Sequence, residues 1–510
     1  MNRTKTFFYN TISTGIMQAV TIVAGFLVPR FMLKFYGSEI NGLVSSISQF
    51  MLYFSLVEAG LANAAIYSLY KPLADNNNKE INAVISASKR FYIKAGYLFV
   101  SLTVALAVLY PIFIRTDALP PLHMSILVLV MGISGALEFF TLSKYRVLLT
   151  ADQKTYVISS ASTISIMANT IIIVVLSYIK VNIVLLRGIA LISVFIRPAI
   201  LAVYVNLKYK YIDYDEKPNN AAMSKRWDAF YLQILASIQT GAPVVIATIF
   251  TNLKIVSIYT VFNLVTNGIN GVFNTFVNCL PSMFGELIVK EEKEKLQKAY
   301  RDFSILFYYL MAVIFSVTFI AIMPFIKLFT RGITDANYDL PILGFLFVLN
   351  GFVSNMKNPQ GALVISAGMY KETKWQTSIQ GAINLVFGII FVNLWGLEGI
   401  MIASILSHLY RDIDLILFVS KKILGLPLRD TIKPIIHMII SILVSIIPFM
   451  FIKWNIQSYA EWIAFSVFMI AFSSVVVLLI GLTLDRKNMN YIANRIKIMV
   501  GIRNGESVRQ

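Results

Sequence analysis

Long, mostly apolar stretches recur along this chain, each divided from the next by a short charged or polar link. A bilayer's hydrocarbon core asks for about 20 apolar residues per helical crossing. Inside it the backbone must satisfy its own hydrogen bonds, which leaves only helices or closed barrels. Barrel strands would alternate apolar and polar residues, and these stretches do not. The chain therefore reads as an all-α integral membrane protein. Fourteen spans are expected, at 8–33, 40–68, 85–113, 119–143, 155–178, 183–205, 227–250, 255–285, 302–328, 338–366, 374–394, 397–419, 433–452 and 459–483. Composition agrees: 57% of the 510 residues are apolar, 14% are charged, and mean hydropathy is +0.72. A soluble domain carries roughly a quarter charged residues to cover its surface. The apolar stretch from Phe7 runs on to Pro29 without a small-x-small cleavage site, so it reads as a retained first helix.

The net charge is +18. With the N-terminus placed in the cytoplasm, inner segments hold 32 of the 44 Lys and Arg, outer links hold 9, and Arg197, Lys357 and Arg411 lie within spans. Basic residues favour the cytoplasmic side, so both termini are expected inside the cytoplasmic membrane of a bacterium. The charge is then a topology signal reinforced by anionic lipid, and no nucleic-acid partner is needed.

Several function classes lose support. Cys279 is the single cysteine, and His123, His408 and His437 are far apart, so no metal site is expected. There is no HExxH, no P-loop and no GxSxG. No link is long enough to fold as a catalytic domain. The expectation is a non-enzyme without a cofactor, a proton or Na+ being the coupling ion left open.

The chain also repeats itself. Thr150-Ala151 meets Ser366-Ala367 at an offset of 216, Ala168-Asn169 meets Ile383-Asn384 at 215, and Phe195-Ile196-Arg197-Pro198 meets Leu409-Tyr410-Arg411-Asp412 at 214. Two six-helix lobes follow, 1–205 and 227–420, joined by a linker at 206–226 that contains Pro218-Asn219-Asn220. Six is even, so the repeat is parallel, and two lobes around a central cavity suit alternating access. Helices at 433–483 and a basic tail at 484–510 lie outside the repeat.

Polar groups at membrane depth are expensive and mark function or partners. Gln18 and Arg30 lie in the first span, Glu58 and Asn63 in the second, Glu138 in the fourth and Lys357 in the tenth. Arg197 and Arg411 lie in spans six and twelve, either serving an anionic substrate or reaching inner phosphates. Glu138 and Lys357 occupy corresponding helices, either as a gate or with separate partners. Glu58 is a proton or cation site, or else meets headgroups or a neighbouring helix. Asn263, Asn267, Asn270, Asn274 and Asn278 share one helical face, which suits either sugar hydroxyls or polar helix packing.

The pattern Asn10-Thr11-Ile12, Pro29-Arg30-Phe31, Tyr36-Gly37-Ser38-Glu39-Ile40-Asn41-Gly42 and Glu58-Ala59-Gly60-Leu61 resembles bacterial polysaccharide repeat-unit flippases. These are the O-antigen and capsule exporters of the superfamily of multidrug and toxin extrusion proteins and lipid II flippases. The resemblance covers nearly the whole chain. Members show an Asp-Leu-Gly-Leu-type segment and a later Arg; here the segment is Glu-Ala-Gly-Leu, with Tyr67 near the Arg position and Lys71 further on. The resemblance implies a substrate: an oligosaccharide linked through pyrophosphate to undecaprenol, turned from the inner to the outer leaflet. It places Arg30 beside the pyrophosphate, with Gln18, Asn63, Asn267, Asn270, Asn274, Lys357, Arg197 and Arg411 as further substrate contacts and Glu58 and Glu138 in coupling or gating. Membrane lipids are partners, with a polysaccharide polymerase and chain-length machinery as further candidates. The alternative is a cation-coupled multidrug or metabolite antiporter of the same fold.

Overall fold

In this computed structural model, residues 3–58, 61–219, 226–278, 280–369, 371–450, 454 and 456–484 are described. Cys279, the side chain of Asn63 and the tail beyond Leu484 therefore lie outside the described residues. All regular structure among the described residues is helical. The chain forms two compact units. One comprises 1–264 with 332–337 and 392–400, and the other comprises 265–331, 338–391 and 401–510.

The first unit begins with α1 (Arg3–Phe54), too long for one crossing and broken at Gly37, where φ is 82°. That backbone region is open to glycine at little cost. The helix restarts at Ser38, whose N–H donates to Asp335 Oδ2 at 2.6 Å and whose hydroxyl donates to Asp335 Oδ1 at 2.8 Å. A carboxylate there satisfies free N–H groups and complements the helix dipole. A 3-10 turn, Ser55–Glu58, follows α1, and then come α2 (Leu61–Ala74), α3 (Asn78–Phe113) and α4 (Pro121–Leu137). The chain makes a π-helical turn at Glu138–Leu142 before α5 (Ser143–Ala151), α6 (Thr155–Tyr178), α7 (Ile183–Val194) and α8 (Ile196–Lys208).

α1 lies along α6. Asn10 fastens its start to the α5–α6 turn, donating to the Gln153 carbonyl and accepting from the Tyr156 N–H, each at 2.8 Å. Leu43, Ile47, Leu69, Ile85, Phe99, Leu127 and Leu186 meet in the buried core of this unit. The linker is held too. Asn82 donates to the Tyr211 carbonyl at 3.0 Å, the Asn219 N–H donates to the Ala83 carbonyl at 3.1 Å, and Lys89 meets Asp215 at 3.1 Å. Lys144 lies over the rings of Tyr145 and Tyr214, and burial lowers its ammonium pKa, with Lys89 acting in the same direction.

Next come α9 (Arg226–Phe250) and α10 (Leu253–Val277). The repeat places α9 and all of α10 in the second lobe, whereas by compactness α9 and the first half of α10 belong to the first unit. Gly42 makes this approach close, because a side-chain carbon there would run into the Leu253 backbone. Beside it, Asn41 donates to Ser257 Oγ at 2.8 Å.

The second unit continues with α11 (Leu280–Val289), α12 (Lys293–Phe329), α13 (Pro341–Met356), α14 (Asn358–Ser366), α15 (Lys374–Phe418), α16 (Leu428–Met450) and α17 (Tyr459–Leu484). α12 is its centre, packed on α13 through Tyr308 and Phe315 and on α16 and α17 through Val317 and Ala321, with Phe273 of α10 stacked on Phe315 at 5.8 Å. α15 is broken at Gly396, where φ is 59°.

Among the described residues, ten helical stretches are long and apolar enough to cross a membrane. Two of them carry the breaks at Gly37 and Gly396 and so supply two crossings each. Ile234–Phe250 and the end-to-end pair α13–α14 supply the rest of the fourteen. Apolar side chains that would be a liability in water stay exposed in rows, as with Val104, Val108 and Ile112 on one face of α3.

Candidate functional site: a charged cavity in the first unit

The expected spans are more interrupted than their apolar length suggests, and the interruptions are where the charges sit. Span two ends its α-helix at Phe54, and Glu58 closes the 3-10 turn that follows. Span four loosens into the π-helical turn that begins with Glu138. Span six breaks at Phe195 and restarts at Ile196, with Arg197 and Pro198 in its first turn. Span ten breaks at Lys357, two residues before Pro359. Proline has no N–H and blocks the preceding turn, so a helix readily ends just before it.

In the first unit these groups converge. Glu58, Glu138, Arg146 and Arg187 line a cavity of about 540 Å³, together with Asn169 and hydroxyls of Ser48, Ser55, Ser134, Ser165 and Ser193. Glu58 Oε1 lies 3.3 Å from Arg146 Nη2, and Glu138 Oε1 lies 3.3 Å from Arg197 Nη1. Behind them Ser193 donates to Asn169 Oδ1 at 3.3 Å, and Ser165 donates to the Ser193 carbonyl at 2.8 Å. These bonds tie α6 to α7 behind the cavity.

Arg187 forms no ion pair among the described residues, and its Nε, like that of Arg197, is buried without a hydrogen-bond partner. Two guanidinium groups and two carboxylates line the cavity, and Arg197, paired with Glu138, lies outside its lining. Chemically, the cavity sets charged groups and hydroxyls into a largely apolar wall of residues such as Val28, Met51, Phe99 and Met131.

The other expected residues are placed as follows. Gln18 is exposed on α1, and Arg30 is half-buried on the same helix. Neither lines this cavity, though Ala24 and Val28 between them do. Glu138 and Lys357 have separate partners. Glu138 takes Arg197, while Lys357 Nζ donates to His408 Nδ1 at 2.7 Å within the second unit. Near that pair Asp412 is fully buried with neither carboxylate oxygen hydrogen-bonded, and Arg411 pairs with Asp414. The asparagine face is divided. Asn270 accepts from Asn355 of α13 at 2.7 Å, and Asn355 accepts from Asn358 at 2.9 Å, which is polar helix packing. Asn267 and Asn274 remain exposed.

Arg146 and Arg187 do not emerge from the sequence reading, because the orientation tally counts both among link residues. For Arg187 a signal exists, since it lies inside the stretch 183–205 expected to span. For Arg146 there is none, because its role depends on Glu58 arriving from another helix.

No family model and no curated protein sequence matches the chain. Its fold, however, is similar to solved structures. A multidrug resistance MATE family transporter of the MOP superfamily, in an inward-facing conformation, superposes with a TM-score of 0.67 at 14% identity, over 80% of this chain and 98% of that one. The lipid II flippase MurJ, in an inward closed conformation, superposes with a TM-score of 0.68 at 13% identity, over 94% of this chain and 98% of that one. A point mutant of the Vibrio cholerae MATE transporter VcmN gives 0.57 at 13% identity, over 83% and 98%. At such identities the likeness establishes a shared all-helical membrane fold.

Proposed function

We propose that the protein is a flippase for anionic, lipid-linked oligosaccharides. In this reading it turns undecaprenyl-pyrophosphate-linked repeat units from the inner to the outer leaflet of the bacterial cytoplasmic membrane, by alternating access, for surface polysaccharide export. The observation that carries it is the cavity of the first unit, lined by Arg146, Arg187, Glu58 and Glu138 with several hydroxyls, and with Arg197 paired to Glu138. Sugar hydroxyls cannot cross hydrocarbon without losing their hydrogen bonds, so a polar compartment must shelter them. Guanidinium groups suit phosphate oxygens through their fixed fork of donors. The fold shared with a lipid II flippase supports the lipid-linked substrate class. Both termini lie in the cytoplasm in this reading, membrane lipids surround the protein, and a polysaccharide polymerase with chain-length machinery receives the product.

Deleting the gene should abolish the surface polymer and leave complete undecaprenol-linked repeat units in the inner leaflet. An unchanged surface polymer would refute the proposal. A second reading, a cation-coupled multidrug or metabolite antiporter, draws on Glu58 and Glu138 in the same cavity and on the fold shared with MATE transporters. It predicts raised drug sensitivity in the deletion strain with surface polymer intact. In either case the two carboxylates are where a proton or Na+ would couple.

A further inference from the structure

Apart from the charged cavity, the first unit holds a second opening with a different lining. Near its end α2 presents Tyr67, Tyr70 and Lys71, and α3 begins nearby with Glu80 in its first turn. With Ser68 and Asn219 these residues line a cleft of about 430 Å³, whose wall also includes the buried Pro72 and Val84. Its edges are fixed. Asn77 caps α3, accepting from the Glu80 N–H at 3.2 Å and donating to Glu80 Oε2 at 3.3 Å. Asn219 is tied by its N–H to the Ala83 carbonyl at 3.1 Å. The two rings stay open, Tyr67 at 74% exposure and Tyr70 at 50%. They stand edge to face at 77°, with centroids 6.3 Å apart.

This lining narrows the occupant. A lipid chain would strip water from Glu80, Lys71 and Asn219 and return no hydrogen bonds. A phosphate would meet the Glu80 carboxylate, and a metal ion the Lys71 ammonium. A planar base fits best between two parallel rings, whereas rings at 77° offer one face and one edge. A sugar ring satisfies each group. Its C–H face lies on an aromatic ring, and the hydroxyls at its rim find an ammonium donor, a carboxylate acceptor and an amide that does both. We propose that this cleft is a glycan-binding site for uncharged sugar rings, stacked on Tyr67 or Tyr70 and hydrogen-bonded to Lys71, Glu80 and Asn219. The glycan has two sources, the head of a lipid-linked unit or a soluble oligosaccharide. The lipid-linked source rests on the flippase reading, whereas the soluble source does not.

The variants separate stacking from hydrogen bonding. Tyr67→Leu and Tyr70→Leu keep an apolar side chain but lose the ring, and each should weaken glycan binding by about two- to tenfold. Tyr67→Phe keeps the face and should bind between wild type and Tyr67→Leu. Asn219→Ala leaves both rings in place and removes one neutral hydrogen-bonding group, again with a loss of about two- to tenfold. Tyrosines also anchor helices at the membrane interface. Anchorage depends on the two rings and is blind to the amide of Asn219, so that variant tells the two roles apart. The side chains of Tyr67, Tyr70 and Asn219 are exposed, so their loss leaves the core of the unit intact, which thermal unfolding checks.

The test uses the full chain purified into lipid nanodiscs. It is titrated with maltose, with N-acetylchitobiose and with the oligosaccharide released by partial hydrolysis of the strain's own surface polymer, and saturation-transfer NMR reads the binding. Binding of any of the three that follows this order of variants supports the site. No binding of any, or binding that ignores the two tyrosines, overturns it. Loss in the tyrosine variants with none in Asn219→Ala also overturns it, in favour of interfacial anchorage. A second arm returns the same variants to the deletion strain. Reduced surface polymer in the variants that bind poorly supports the lipid-linked source, and normal polymer supports the soluble one. If ordered binding stands while the deletion strain keeps its polymer, the flippase reading falls and the glycan site does not. Lost polymer on deletion without ring-dependent binding overturns the site alone.

Discussion

Single residues set the two breaks that make long helices into crossings, and one of them can be weighed. Asp335 accepts two hydrogen bonds from Ser38, one of them from the first N–H after the Gly37 break. Removing a capping side chain costs about 1 kcal/mol, and up to about 2 in good geometry. Asp335→Ala should therefore lower the thermal unfolding midpoint of the purified protein, while Asp335→Asn should recover part of the loss. Gly37→Ala should be worse than an ordinary glycine replacement. It places a side chain at a φ of 82° and brings that carbon to 2.9 Å from Asp335 Oδ2. A cost of about 1–2 kcal/mol is expected from the backbone alone. The sequence displays Gly37 within Tyr36-Gly37-Ser38, but it gives no hint of Asp335, which lies 297 residues from Ser38. Arg187 shows the same limit from the other side: an arginine inside an apolar stretch is visible, while the absence of an acidic partner is a property of three dimensions.

At the scale of elements, spans were legible because apolar length is a strong signal, and their interruptions were less so. Pro198 and Pro359 mark two of them in the sequence. The 3-10 turn ending at Glu58 and the π-helical turn starting at Glu138 have no proline, so there the reading ran straight through. The asparagine face on α10 was visible as spacing, yet spacing alone could not separate Asn270, bonded to α13, from the exposed Asn267 and Asn274. Asn355→Ala removes the side chain that bridges Asn270 and Asn358 and should cost about 0.6–2 kcal/mol, read by thermal unfolding. Helix approach offers a sharper contrast. Gly42→Val drives a branched side chain into the Leu253 backbone and should sharply reduce the yield of folded protein. Gly188→Ala on α7 meets nothing within 4 Å and should be neutral or stabilising. If both variants behaved alike by size-exclusion chromatography and melting, the close approach of α1 and α10 would be refuted.

For the whole molecule, an even number of crossings would put both termini on one side of the membrane, and the positive-inside rule gives the expectation that this side is the inner one. In a Cys279→Ser background, cysteines placed at Asn77 and Asn252 should then differ. The second should react with a membrane-impermeant thiol reagent on intact spheroplasts, and the first only after lysis. Reaction of both before lysis would undo the assigned orientation. The repeat reads from sequence as a common offset, and the folded chain adds a contact that sequence cannot. Asn41 and Ser257, bonded at 2.8 Å, are 216 positions apart, the same interval that relates Thr150 to Ser366. The first compact unit is assembled from three stretches, the last ending at Ile400. During synthesis, then, its helices enter the bilayer long before its final piece exists. At translation speeds of about 5–20 residues per second, the wait between Leu264 and Ile400 is on the order of ten seconds. For about the first half of that interval, until Asp335 is made, Ser38 stands uncapped.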